Sequence, residues 1–413
     1  MAKSSDIPEF GMLSGYRVVM IGISIAAPFA GELYAEQGAD VIWIEHPTQV
    51  ANVRRANHGG SMQQDRRNMR SLAVNYTKGE GQEVFLKLLE STDVLIEASA
   101  GGKFASYGLS DEVLWQRNPQ LVITHISGFG QTGDQAYVKR GSFDPVAQAF
   151  GCTMRMNGIP GMPSVPAMPF PGDYYSAFYA FGMSVAALLK RTQTGKGESI
   201  DIAQFETMIR TQSNYPLCYW RDGKDYVKEG PHSMICALYG TYQCSDGVEV
   251  YTLFLGEGVI RRGLPLIGLE YGTEVFPAGM GMIPFGTEAG DLAEAKFKEF
   301  ISGRTAEEVE EALANAGVPC SRLMDYEMAK ANSQYRARGV IDSWETVAGE
   351  RIPGVKIVPE ITNQPGRIWR GAPAQGMDTD DILEEIGFGR LERNRLHDAQ
   401  VVGCFGFEES GIL

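Results

Sequence analysis

The sequence predicts an α/β fold with a mostly parallel sheet, joined to a smaller α+β unit. Three observations carry that reading. Over the first third, short apolar runs alternate with stretches of helical period. In the centre the pattern changes to strand-like alternation across Asp246-Gly247, a hairpin signal. The length, 413 residues, suits two or three domains at about 150 residues each.

The elements follow in order. RVVMIG (17–22) reads as a buried strand, AAPFAGELYAEQ (26–37) as a helix stopped by Gly38, and ADVIWIE (39–45) as the next strand. An arginine-rich connection leads to SLAVNY (71–76) and then to the helix GQEVFLKLLEST (81–92). DVLIEA (93–98) is a strand, DEVLWQRN (111–118) a helix with Ser110 as its N-cap, and LVITHIS (121–127) a strand. Such alternation implies βαβ units, in which ligands sit beyond the carboxyl ends of the strands. The central hairpin spans 239–255. TAEEVEEALANAG (305–317) is a capped helix ending at Gly317, followed by strand-like VPCSRLM and the helix DYEMAKAN. In the tail, the acidic first turn of GMDTDDILEEIGF (376–388) suits a helix N-terminus.

Composition narrows the function classes. With 44% hydrophobic and 21% charged residues the chain has material for full cores. A formal charge of −14 argues against nonspecific binding to nucleic acid or an anionic membrane. The start, MAKSSDIPEFGML, lacks the apolar core of a signal peptide, and the uncharged run Tyr174 to Leu189 is shorter than a membrane span. Six cysteines without close pairing read as reduced thiols in a cytoplasmic protein. Five scattered histidines give no reason to expect a metal. A nicotinamide cofactor is disfavoured too. Glu45 ends the second strand as a ribose-binding acid would, yet the preceding turn, GISIAAPFA, has one glycine where three are required.

Three groups of residues have chemistry to offer. Arg54, Arg55, Arg66, Arg67 and Arg70 form either a solvated basic loop or a phosphate grip, since guanidinium forks suit phosphate oxygens. Asp173, in PFPGDYYSAFYAFGMSVAALLKR (169–191), is either the N-cap of a helix beginning at Tyr174 or a reactive carboxylate at the mouth of a buried helix. Burial would raise its basicity, and a held substrate would supply effective molarity of about 10⁵ M or more. The aromatics Tyr174, Tyr175, Tyr215, Tyr219 and Trp220 are core residues or, if they face one cavity, a cation–π box.

These residues sit within a wider likeness. GYRVVMIGISIAAPFAGELYAEQGADVIWIE, SLAVNY, GLSDEVLWQRNPQLVITHISGFGQTG, FDPVAQAF, TGKGESIDIAQFE, VPCSRL and PGRIWRGAPAQGMDTDDILEEIGF occur in order along nearly the whole chain. Together they resemble the class III CoA-transferases, most closely the L-carnitine and bile-acid CoA-transferase branch. The resemblance implies a Rossmann-like large domain built from both chain ends, a smaller α+β middle domain, and an interlocked ring dimer. The boundaries it suggests are 1–205 and 341–413 for the large domain, 230–325 for the small one, and linkers at 206–229 and 326–340. It implies an acyl-CoA and a free carboxylic acid as substrates, with no tightly bound cofactor beyond CoA itself as a substrate.

In that family the aspartate between a Pro-rich loop and an apolar helix is the nucleophile, a role that falls on Asp173. CoA contacts fall on Arg70, Ser99, Ala100, Lys103 and Tyr107, and the substrate pocket on Tyr174, Tyr175, Tyr215 and Trp220. The branch often carries Lys at the position of Ala100 and Arg at that of Tyr107, so Lys103 is the candidate replacement. The glycine-rich loop of formyl-CoA relatives is absent; SMICALYGTY (233–242) stands there. Carnitine- or betaine-type acids are the expected substrates, with bile, 2-hydroxy or aryl acids as the alternative. An α-methylacyl-CoA racemase needs two bases, and Phe143 stands where those relatives carry a histidine. A non-catalytic CoA-binding protein would have no use for a desolvated Asp173.

Overall fold

The computed structural model describes residues 7–411, without the side chains of Asn57 and His58. The leader reading of the first six residues therefore lies outside the described part. The chain divides into two compact units. One runs through Thr153 and adds Pro166–Pro216 and the chain from Arg338 onward; the other is Met154–Val165 with Leu217–Ala337.

The first unit is built on a seven-stranded sheet. Its strands are β1 (Arg17–Ile21), β2 (Asp40–Glu45), β3 (Arg70–Val74), β4 (Val94–Ala98), β5 (Val122–Ser127) and β6 (Ser199–Ala203), with β12 (Val402–Gly403) at one edge. The order is β12-β3-β2-β1-β4-β5-β6. All neighbours run parallel except β12, which pairs antiparallel with β3. Strand order thus reverses at β1 and β4, which leaves a crevice beyond their carboxyl ends. The central strands are buried on both faces, the physical reason for their unbroken apolar runs. Val18, Met20, Val41, Trp43 and Ile96 pack under helices 26–35 and 171–194. Val19, Ile42, Leu72, Leu95 and Ile123 pack under helices 79–89, 111–117 and 379–385 on the other face.

The amino ends of the strands carry a buried ion-pair cluster. Arg17 and Arg70, which open β1 and β3, both bond Asp40 at the start of β2, and both reach Glu385 of helix 379–385. A strand pair completes the unit's tail, β10 (Ile341–Glu345) with β11 (Arg351–Val355).

The second unit holds the antiparallel β7 (Tyr239–Gln243), β8 (Glu249–Leu253) and β9 (Cys320–Arg322). Its hairpin turns at Asp246-Gly247, with Gly247 at φ 81°. Helices 288–302 and 306–315 cover the sheet around Phe254, Phe297 and Val309. Thr305 and Glu308 close a capping box at the second helix. Among the described residues, no helix is long and apolar enough to cross a membrane.

Candidate active site

Helix 171–194 sets the position of Asp173, and it starts earlier than the sequence suggests. Pro171 is its first residue, a place where proline's missing N–H costs nothing, and Asp173 lies inside the first turn. The cap reading of Asp173 is therefore replaced. The capping oxygen comes from another segment: Asp144 Oδ1 accepts the N–H of Gly172 at 2.6 Å and of Asp173 at 3.3 Å. Gln148 donates to Asp144 Oδ2 at 2.5 Å and fixes it. A Cβ on Gly172 would sit 2.9 Å from Asp144 Oδ1, so glycine is what lets the two approach. Phe170, just before the helix, adopts φ 58°, a left-handed conformation that is costly for a side-chain-bearing residue.

With its helix capped by another residue, the Asp173 carboxylate is released for other work. Gln204, the first residue after β6, donates to its Oδ1 at 2.5 Å. Asp173 is 5% exposed and lines a cleft of about 340 Å³. The walls come from the loops after β1, β4 and β5, with Ser99, Ala100, Arg140, Phe143 and Gln204 among the lining side chains. This is the crevice at the reversal of strand order. The carboxyl of Asp173 is pushed up to about 6: burial raises it most, the Gln204 hydrogen bond pulls it back, and the charge of Asp144 adds to the rise. A second cleft of about 560 Å³ adjoins the first, sharing Ile23 and Ala98, and runs over the ends of β2 and β3 past His46 and Tyr76.

Of the residues named from sequence, Asp173, Ser99 and Ala100 meet in the first cleft. Lys103 and Tyr107 do not line it. The ammonium of Lys103 lies 5.1 Å from the Tyr107 ring centre, and that ring packs edge-on against Tyr76. Arg70 sits at the amino end of β3, the opposite edge of the sheet, with its guanidinium bonded to Asp40 and Glu385. The other arginines are absorbed similarly. Arg54 pairs with Glu45, which also accepts Ser71 Oγ at 2.5 Å, so this acid is spent on structure. Arg67 pairs with Glu36 and Glu32. Arg66 donates to the carbonyls of Ile23 and Ser24, and burial lowers it to about 10. Among these five only Arg55 is exposed.

The aromatic set does not converge within the first unit. Tyr174 faces a recess with Asp65 and Arg66, whereas Tyr175 faces another with Phe178 and Met183. Tyr215 lines neither, and Tyr219 and Trp220 belong to the second unit. Sequence reasoning missed Asp144 as a cap and Gln204 as the partner of Asp173. Both lie in segments already notable for likeness, FDPVAQAF and TGKGESIDIAQFE, and no local pattern marks either.

Chemically, the cleft offers one desolvated carboxylate with one neutral donor on it. Phe143 and Arg140 are the neighbours on the facing loop, and neither is a second base at neutral pH. The arrangement suits a single nucleophile better than a pair of proton-transfer groups.

Comparison with known proteins bears on the family and the fold. The profile of CoA-transferase family III matches residues 13–379. A CAIB/BAIF family protein from Brucella suis superposes with a TM-score of 0.78 at 26% identity, over 92% of this chain and 100% of that one. Protein Rv3272 of Mycobacterium tuberculosis, in its orthorhombic form, superposes at 0.74 with 17% identity, over 89% and 98%. A further structure of that protein gives 0.76 with 18% identity, over 90% and 99%. The last two are likenesses of fold.

Proposed function

We propose, from the premise that the chain belongs to CoA-transferase family III, that it moves CoA from an acyl-CoA to a free carboxylic acid through a covalent intermediate on Asp173. The observation that carries this reading is the buried carboxylate of Asp173 in the crevice, raised to about 6 and facing no second base. A carboxylate in water attacks a thioester poorly. Here desolvation makes it more basic, yet it is still ionised at neutral pH.

The reaction runs in balanced steps. An Asp173 oxygen attacks the thioester carbonyl, and CoA leaves as the thiolate, giving a mixed anhydride. The thiolate then attacks the aspartyl carbonyl, releasing the donor acid and leaving an aspartyl-CoA thioester. The acceptor carboxylate attacks that thioester and expels the CoA thiolate, giving a second mixed anhydride. The thiolate then attacks the acceptor's acyl carbon, which yields the new acyl-CoA and frees the Asp173 carboxylate. Each step exchanges one activated acyl bond for another, so no external energy source is needed. Gln204 holds the carboxylate in place and offers its N–H to the oxygen that bears developing charge. The amides of Gly172 and Asp173 are taken by Asp144 and are not available for that purpose.

The two adjoining clefts give an extended molecule such as CoA a path across the carboxyl ends of β1 to β4, with its sulfur beside Asp173. Ser99 and Ala100 stand on that path; Lys103 and Tyr107 flank it on the following turn. The substrate reading is a carnitine- or betaine-type acid, with bile, 2-hydroxy or aryl acids as the alternative. Phe143 is the aromatic side chain on the cleft wall, while Tyr174 and Tyr175 line neighbouring recesses. The working form is an interlocked homodimer.

The test is CoA exchange from a panel of acyl-CoAs to free acids, by wild type and Asp173→Asn in parallel. Loss of at least about a thousandfold in the variant is expected, together with a CoA adduct on Asp173 in the mass spectrum of trapped wild type. Exchange at an equal rate in the variant would remove Asp173 from the mechanism.

A further inference from the structure

Behind the cleft lies a chain of polar groups that the transfer chemistry does not use. Ser99 Oγ donates to Glu97 Oε2 at 2.6 Å. Glu97 Oε1 meets His125 Nδ1 at 2.6 Å, and His125 Nε2 meets Asp111 Oδ1 at 2.9 Å. Glu97 and His125 are direct register partners on β4 and β5, both buried, while Asp111 opens the helix covering that face. The other acid near the imidazole is Asp201, its register partner on β6, whose carboxylate accepts the N–H of Gln131. Burial alone would lower His125, but its bonds to Asp111 and Glu97 and their charges raise it to about 9, so it is an imidazolium at neutral pH.

The consequence reaches Ser99. The Glu97 carboxyl group meets the His125 ring with one oxygen and accepts the Ser99 hydroxyl proton with the other. A hydroxyl has one proton, and here that proton belongs to Glu97. Toward the cleft Ser99 therefore offers lone pairs. It is unsuited to an oxyanion or a phosphate oxygen, both of which need donors, and suited to an N–H. The CoA arm carries two amides, and one of them is only two methylenes from the sulfur. Since the sulfur must reach Asp173 in the cleft that Ser99 lines, that amide is the one within range.

We propose that Ser99, oriented by Glu97, His125 and Asp111, accepts a hydrogen bond from the cysteamine amide N–H of the CoA arm. The proposal rests on the CoA reading of the cleft. Ser99 is the contacting group, and Glu97 and His125 are positioning residues.

The experiment is calorimetric binding of CoA and of an analogue with that amide N–H replaced by an ester oxygen. The full-length wild type and the variants Ser99→Ala and Glu97→Ala are compared. Wild type should bind the ester analogue about tenfold more weakly than CoA, the span of one hydrogen bond. Ser99→Ala should bind the two nearly equally. Glu97→Ala frees the hydroxyl to donate to the ester oxygen, so its preference for the amide should also shrink. The ratio is internal to each variant, so a general loss of stability does not imitate the result. Equal amide preference in wild type and Ser99→Ala overturns the proposal and leaves the CoA reading intact. No binding of CoA by wild type overturns both.

Discussion

A carboxylate that attacks a carbonyl has to be ionised and poorly solvated at once, and Asp173 meets that conflict by sitting at a raised ionisation point. Two consequences follow at this one residue. First, only the ionised form attacks, so kcat/KM should climb with pH and level off above about 6, the value to which burial lifts Asp173. A pH profile of exchange checks this; a rate flat from pH 4.5 to 8 would assign the attack to another group. Second, the same shift costs stability. The folded state holds the Asp173 proton more tightly than the unfolded chain, so stability falls as pH rises from about 3.8 towards 6 and the loss is complete above that. Asp173→Asn, isosteric but neutral, should therefore be more stable than wild type at pH 8, by roughly 1–3 kcal/mol, while losing activity. Denaturant melts at pH 8 and pH 4 decide it. The gap should shrink at the lower pH, and a variant less stable than wild type at pH 8 would mean that the pocket does not strain its carboxylate.

At the scale of elements, the site depends on how helix 171–194 begins. Asp144 both caps that helix and repels Asp173, and substitution separates the two roles. Asp144→Asn keeps an accepting oxygen for Gly172 and removes the charge, so the acid limb of the pH profile should move to lower pH with kcat largely kept. Asp144→Ala loses the cap as well, at about 1–2 kcal/mol, and should also lower kcat by letting Asp173 drift from Gln204. Identical profiles and kcat for the two variants would show that the charge alone matters and the cap does not. The same junction shows what was legible in the sequence. Strands β1 to β5 were, because burial on both faces writes an unbroken apolar run. Strand β6, SIDIA, carries Ser199 and Asp201 at the sheet edge and gave no such run. The helix start was misplaced because an Asp after Pro-Gly suits both the cap position and the first turn. What decides between them is Asp144, 28 residues upstream of Gly172, and periodicity does not report contacts at that range. Gln204 was hidden for the same reason, 31 residues from the carboxylate it holds.

At the scale of the whole molecule, the arginines and the helix surface point in opposite directions. The basic cluster that the sequence offered as either a solvated loop or a grip for an external anion is, Arg55 apart, consumed internally. Arg17 and Arg70 on Asp40 and Glu385 lock the amino edge of the sheet, while the carboxyl edge is left to the clefts. Helix 171–194 is the reverse case: internal by composition, it leaves Tyr175, Phe178, Tyr179 and Met183 exposed in one stripe at i, i+3, i+4 spacing. Burying such side chains is worth about 1.5–3 kcal/mol each, which makes an uncovered stripe of this size a poor end state in water. The proposed homodimer supplies the cover, and it makes a sharp prediction. Wild type should sediment at twice the 45.2 kDa chain mass at micromolar concentration. Phe178→Glu combined with Met183→Glu places two charges on the stripe and should shift the protein to monomer. If the double variant sediments as a dimer like wild type, this face is not the interface. If wild type itself sediments at the chain mass, the dimer falls, whereas the Asp173 cleft, built wholly from one chain's first unit, keeps its chemistry.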